Sequence, residues 1–297
     1  MEWLIYALIA PFLWAFCNVI DKFMLDKYVK DSISYQVLTS LFNSIGVIIL
    51  LLIVSISTNF HGVFLGIIIS ILGVIAVIFY NKSLMNEEAS RIVPLAYISS
   101  IFVVILAYIF LGEVFSFHKY LGIILIFIGG AMISFKRIVK KWHFSSAVKF
   151  ILISAFMWGV GSVISKYTLG FVDFYSLTFW QLMGFLIFGP LFLSYQKIRT
   201  KFLRNIKKFN KKVFILMVFN ALFYLIGLLS FLYAISIDSV SLVYAVASTQ
   251  PFFIFVYMLI ITKMVPKIIE EKIDKSTILL KIIAICLIFL GTIFIGS

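Results

Sequence analysis

Trp14, Asn18 and Lys22 stand four residues apart, and so do Trp158, Ser162 and Lys166. On a helix each set shares a face. The residue types suit recognition and not bond making. An indole is a broad apolar wall with one N–H donor, and Asn18 and Ser162 add neutral hydrogen-bonding groups. The alternative is that the tryptophans are interfacial belt residues and the small polar groups join helices. Lys22 and Lys166 carry two readings as well. They either snorkel from helix ends to the membrane surface or draw an anionic group as gating or electrostatic elements.

Further polar side chains lie within apolar stretches: Tyr97, Ser100, Asn220, Tyr224, Tyr244 and Gln250, with Asn43, Ser99, Gln181 and Thr249 beside them. In hydrocarbon each must find a hydrogen-bond partner, so each is expected to face protein or a wet cavity. Gln250 precedes Pro251, which removes a backbone donor and frees a carbonyl one turn back. Glu113 falls at a turn, where it reads as a helix cap or as a proton-coupling group. No carboxylate is read in the middle of an apolar segment, so coupling through a buried acid is not expected.

Catalytic chemistry finds little support. There is no His-Glu-x-x-His on a span, no mid-span acid pair and no histidine in a clear span interior. His61, His118 and His143 have no metal-ligand spacing with Cys17 or Cys286, so neither metal nor cofactor is expected. Both cysteines sit in apolar runs, and no disulfide framework is implied.

The elements that must carry these residues are set by composition. The chain has 297 residues, of which 63% are hydrophobic and only 12% charged. Too little polar surface remains to cover such a chain in water, so its solvent is lipid. The expected fold is an all-α membrane protein with ten transmembrane helices, at 3–22, 34–56, 62–84, 92–112, 118–135, 147–166, 174–195, 212–234, 240–262 and 277–296. The segments are near-continuous apolar runs and do not alternate, which excludes a barrel. Met1-Glu2-Trp3 lacks a basic n-region, so the first run is expected to remain as a span.

Charge gives an orientation. The connections after odd-numbered spans, with their flanks, hold 23 of the 25 lysines and arginines; Lys119 and Lys166 are on the other face. The positive-inside rule then puts both termini outside the cytoplasm, in a multi-pass protein of the cell membrane. The net charge of +13 reflects basic loops on an anionic leaflet, and nucleic acid is not an expected partner.

Trp14-Ala15-Phe16-Cys17-Asn18-Val19-Ile20-Asp21-Lys22 and Trp158-Gly159-Val160-Gly161-Ser162-Val163-Ile164-Ser165-Lys166 repeat Trp, Val-Ile and Lys at identical spacing. Each opens a group of five spans. Five is odd, so the second group enters from the other side and the repeats are inverted, at 1–141 and 142–297. The connection at Ser57–Gly62 has no lysine or arginine, whereas its counterpart at Gln196–Lys212 is the most basic in the chain. Met264–Ile273, with Pro266 and alternating charge, reads as a short amphipathic linker. Gly159 with Gly161, Gly129 with Gly130, and Gly227 offer small faces but no Gly-x-x-x-Gly spacing, so a monomer or weak homo-oligomer is expected.

Tyr80-Asn81-Lys82-Ser83-Leu84, Ala89-Ser90-Arg91-Ile92-Val93-Pro94, Phe110-Leu111-Gly112-Glu113, Leu121-Gly122 and Gly129-Gly130 follow one another in a recognisable order. This resembles the EamA-type branch of the drug/metabolite transporter superfamily. The second half is similar through Ala234, Asp238, Ser241, Gln250-Pro251 and Leu290-Gly291, but Ile261-Thr262-Lys263 replaces a second Leu-Gly-Glu. The resemblance implies a ten-helix carrier of small metabolites, often an exporter of amino acids or related compounds. Many members are described with cytoplasmic termini, opposite to the charge count. The expected activity is secondary transport of a small polar or amphipathic metabolite by alternating access. Trp14, Asn18, Trp158, Ser162, Tyr97, Ser100, Asn220, Tyr224, Tyr244 and Gln250 are the expected substrate-binding residues. A carrier or flippase of a lipid-linked substrate is the alternative, and membrane lipid and a small-molecule substrate are the expected partners.

Overall fold

The structure, a computed structural model, describes residues 2–86, 92, 95–134, 146–264 and 275–296. Among them helix is the dominant regular structure and no strand occurs. Lipid cannot hydrogen-bond a backbone, so each crossing segment must satisfy its own N–H and C=O groups, which a helix does. Residues Glu2–Lys27 form α1, Ser32–Phe42 α2, Ser44–Ile53 α3 and Phe60–Asn86 α4. Ser99–Leu111 form α5, Phe117–Ser134 α6, Ser146–Thr168 α7 and Phe174–Leu191 α8. Gln196–Ile206 form α9, Lys211–Ile237 α10, Val240–Ala247 α11, Gln250–Met264 α12 and Lys275–Gly296 α13.

Among the described residues seven segments are long and apolar enough to cross a membrane: Glu2–Lys27, Ser32–Ile53, Phe60–Asn86, Ala147–Thr168, Phe174–Ser194, Lys211–Ile237 and Val240–Tyr257. Ser99–Leu111, Phe117–Gly129 and Ile283–Ile295 are shorter apolar helices. Large apolar side chains point outward along them; Leu52 is 79% exposed and Phe60 and Phe117 are each 73% exposed. Such a surface is stable against acyl chains and not against water.

Polar caps start the helices where the chain turns. Asp31 accepts from Ser34 N at 3.0 Å, Asp173 from Tyr175 N and Ser176 N at 2.9 Å, and Asn210 from Val213 N at 3.0 Å. Each satisfies a donor that the first helical turn leaves unpaired. Helix α1 packs along α10, α4 along α7 and α8, and α6 along α13. The last pair meets backbone to backbone. A Cβ on Gly122 would lie 2.7 Å from the Gly291 carbonyl oxygen, and one on Gly291 2.7 Å from that of Gly122.

Three expectations change. The first helix continues to Lys27 and does not stop near Lys22, because Lys22 and Asp26 pair at 3.1 Å across one turn and carry it on. The basic connection after α8 contains α9, an amphipathic helix that buries Phe202 and exposes its lysines. Gly62 and Gly66 do have Gly-x-x-x-Gly spacing, but they face Val172 and Trp180 of the same chain. The linker read at Met264–Ile273 lies, beyond Met264, outside the described residues.

Candidate functional site

The segments that cross the bundle are broken at three places. Asn43 separates α2 from α3. Tyr97 and Ile98 precede α5 in a turn whose hydrogen bonds run Ile98 N to Leu95 O, Ser100 N to Tyr97 O and Ile101 N to Ile98 O. Ser248 and Thr249 separate α11 from α12, with Thr249 N bonded to Val246 O and Phe252 N to Thr249 O. These three-residue closures are tighter than α-helix. Pro251 contributes to the last break, since it has no N–H for the Ala247 carbonyl. The second and third breaks face each other. Tyr97 Oη donates to Gln250 Oε1, and the Ser100 and Ser248 hydroxyls are 2.6 Å apart. The rings of Tyr97 and Tyr244 meet edge-on at 6.4 Å.

Around these breaks lies a cavity of about 250 Å³. From α1 it is lined by Trp14, Cys17, Asn18 and Asp21, and from α7 by Trp158, Gly161, Ser162 and Ser165. The two stripes use the same helical positions. Each tryptophan packs against a ring of a distant helix: Trp14 on Phe231 at 5.5 Å and Trp158 on Tyr80 at 5.3 Å. Gly227 admits the first indole, as a Cβ there would lie 2.6 Å from Trp14 Nε1.

Of the residues expected to bind substrate, Trp14, Asn18, Trp158, Ser162, Tyr97, Asn220, Tyr224, Tyr244 and Gln250 line this cavity. Ser100 does not line it; its hydroxyl is engaged with Ser248 behind the wall. Lys22, Lys166 and Glu113 lie off the cavity too. Lys22 Nζ donates to the Leu84 carbonyl at 2.7 Å, near the end of α4. Lys166 Nζ donates to the carbonyls of Ile235 and Asp238 at 2.7 and 2.8 Å, at the end of α10. Both lysines therefore cap the negative end of a helix. Glu113 accepts from Val240 N at 2.8 Å and Ser241 N at 3.1 Å, closing the N-terminus of α11. Gly112 makes this possible: its φ of 68° ends α5 in a left-handed turn that aims Glu113 across the bundle.

Asp21 is the residue that sequence reasoning passed over. It accepts from Tyr35 Oη at 2.5 Å and from Asn220 Nδ2 at 2.7 Å, both at Oδ1. The expectation that no carboxylate sits in the middle of a span leaves it aside, because the sequence reading puts Asp21 at a helix end; α1 continues beyond it to Lys27. The available signal was rotation. At about 100° per residue, position 21 returns to within about 20° of Trp14, whereas position 22 is about 80° away. The equivalent position on α7 is Ser165, which accepts from Gln181 Nε2 at 3.2 Å. Gln36, Tyr80 and Asn81 also line the cavity, and Gln36 Oε1, Tyr80 Oη, Asn81 Nδ2 and Trp14 Nε1 are buried without partners. Among the described residues no group of three His, Cys, Asp or Glu is placed to hold a metal ion.

Apolar outer faces and a series of apolar helices mark a multi-pass membrane protein, with a polar cavity enclosed among them. Comparison with known families agrees. The EamA-like transporter family model matches residues 1–135 and again 145–297. The chain belongs to the EamA-like transporter family. No curated protein matches it. Among solved structures, 28 chains match. One, described as a crystal structure of protein, covers 99% of this chain and 95% of its own, with a TM-score of 0.66 at 14% identity, a likeness of fold.

Proposed function

We propose that this protein is a secondary transporter that moves a small polar or amphipathic metabolite across the cytoplasmic membrane by alternating access. It crosses the membrane ten times as two inverted five-helix repeats, 1–141 and 142–297, with both termini outside. The cavity between the repeats is the substrate site, and it is the observation that carries this reading. Both halves contribute the same stripe to it, Trp14 to Asp21 and Trp158 to Ser165.

Pairwise contacts support an inverted relation. The opening helix of each half packs on the third long segment of the other, α1 on α10 and α7 on α4. Each opening helix also sends a lysine to a carbonyl of its own half, Lys22 to Leu84 and Lys166 to Ile235. A transporter of this design binds solute near the midplane and rocks one bundle against the other. In the present arrangement the halves are tied together at the lysine-poor face. Glu113 holds α11, Ser57 O accepts from Trp180 Nε1 at 2.8 Å, Ser57 N donates to Ser176 Oγ at 2.9 Å, and Tyr233 Oη donates to Glu2 at 2.9 Å. Opening that face requires these ties to break.

Substrate recognition falls to Trp14, Asn18, Trp158, Ser162, Tyr97, Asn220, Tyr224, Tyr244 and Gln250, with Ser100 positioning the crossing of the two breaks. Lys22, Lys166 and Glu113 act on helix ends and on closure, and not on solute. The test is reconstitution into liposomes with labelled amino acids and nucleobases. Saturable counterflow is expected, and Trp14→Ala, Asn18→Ala and Gln250→Ala together should abolish it. Uptake unaffected by the triple variant would move the site elsewhere. A reporter fused to the C-terminus is expected to read extracytoplasmic; a cytoplasmic signal would reverse the orientation.

A further inference from the structure

Charge in the cavity is one-sided. Among the described residues that line it, Asp21 is the carboxylate and none is a lysine, arginine or histidine. Lys22, next in sequence, is turned to the Leu84 carbonyl and Asp26. Among the described residues Asp21 makes no ion pair, and its Oδ1 takes both hydrogen bonds while Oδ2 takes none. Two neutral donors hold the half-buried carboxylate in place, and no positive charge among the described residues balances it. The pseudo-equivalent position is Ser165, so the negative pole exists on one side only.

The rest of the wall is aromatic. Trp14, Trp158, Tyr80, Tyr97, Tyr224 and Tyr244 surround the space. Ring faces attract ammonium groups, best where water is excluded. Of the cavity's buried groups without a partner among the described residues, Trp14 Nε1 and Asn81 Nδ2 are neutral donors suited to a hydroxyl or carbonyl, Gln36 Oε1 is an acceptor and Tyr80 Oη can act as either; Asn81 is only 1% exposed. A neutral donor does not replace the cation that a buried carboxylate of a substrate would need.

We infer that the cavity takes compounds that carry an organic ammonium and no carboxylate, with Asp21 as counter-ion and the tyrosine and tryptophan rings as walls. This rests on the carrier reading of the same site and narrows its substrate class. A volume of about 250 Å³ is enough for a single-ring arylalkylamine. On binding, the ammonium meets Oδ2 while Tyr35 and Asn220 keep Oδ1.

Three probes with one ring and different charge test this: tyramine, tyrosine and 4-hydroxyphenylacetate. Equilibrium binding is measured on the purified full chain in lipid nanodiscs, with counterflow in proteoliposomes alongside. Tyramine is expected to bind tighter than the other two by at least about tenfold, the scale of one charge-assisted contact. Asp21→Asn keeps an oxygen for Tyr35 and Asn220 but removes the charge, and should bring the three ligands within about threefold of one another. Asp21→Glu should keep the preference for tyramine. The inference is overturned if tyrosine or the acid binds best, if tyramine shows no saturable binding, or if Asp21→Asn leaves the preference intact. Counterflow of a neutral or anionic solute with no tyramine binding would sink the amine assignment and leave the carrier reading standing. Absence of counterflow with any solute, together with intact tyramine binding, would do the reverse.

Discussion

Removing the Glu113 carboxylate should open the lysine-poor face. Both its oxygens are used, at 2.8 and 3.1 Å, on the first free N–H groups of α11. A hydrogen bond to a charged group contributes about 1.5–3 kcal/mol net, and loss of a helix cap costs about 0.5–2 kcal/mol. The bonds are part-buried and act on the same helix end, so they do not add fully, and about 2–3 kcal/mol is the expected total for Glu113→Ala. The tie joins the two halves, so on the proposed alternating-access reading this free energy is lost from the closed state and not from the open one. At about 1.4 kcal/mol per tenfold, the open population rises roughly 30- to 150-fold. Glu113→Gln keeps one acceptor and loses the charge, for about 1 kcal/mol and roughly fivefold. The chain supplies its own reporter. It has two cysteines; Cys286 is exposed, while Cys17 is buried and lines the cavity. With Cys286→Ser in the background, a membrane-impermeant thiol reagent is applied to the lysine-poor face and Cys17 labelling is timed. While opening is rare and fast relative to labelling, the rate follows the open population. Wild type, Gln and Ala variants should rank in that order of increasing rate. Equal rates in all three would show that Glu113 serves only the local fold of α11, and the closure argument would fail.

Three other outcomes follow from the same contacts. Gly291→Val forces a side chain against the Gly122 carbonyl, 2.7 Å from its Cβ, so α6 and α13 must part; thermal melts in detergent should show a loss of at least about 1–3 kcal/mol, and an unchanged melt would contradict the packing. Lys166→Met removes two bonds to carbonyls at the end of α10, and should lower stability by about 1 kcal/mol after allowance for partial exposure. Its ligand affinity should stay at the wild-type value, and a tenfold loss of affinity would place the lysine in the site after all. Pro251→Ala restores an N–H opposite the Ala247 carbonyl and favours a continuous helix; binding should persist while counterflow slows, and unaltered counterflow would show the break to be dispensable.

How much of this was legible in the sequence depends on what local rules can carry. Apolar runs and their flanking charges located the helices, because lipid admits few alternatives. The tryptophan stripes were legible because four-residue spacing survives one turn. Extending that spacing to a second turn slid off the face, which selected the two lysines and missed Asp21 and Ser165. A pattern of three, four and seven would have found Cys17, Asn18 and Asp21 from Trp14, and Gly161, Ser162 and Ser165 from Trp158. The break at Ser248 announced itself through Pro251, whereas Tyr97 and Ile98 are neither proline nor glycine, and the crossing with Gln250 and Ser248 that accompanies their turn is not visible locally. Likewise nothing near Glu113 in sequence names Val240 as its partner. The Leu-Gly-Glu turn has a physical reason only once α11 is in view, since glycine supplies the left-handed turn and glutamate the cap for a helix of the other half. Where that motif is replaced by Ile261-Thr262-Lys263, no glutamate stands at the matching position, so the proposed closure is not symmetric in its residues. The same asymmetry separates Asp21 from Ser165. A duplicated scaffold thus brings matching positions to the chamber, and the proposed selectivity and closure both rest on positions where the copies differ in charge.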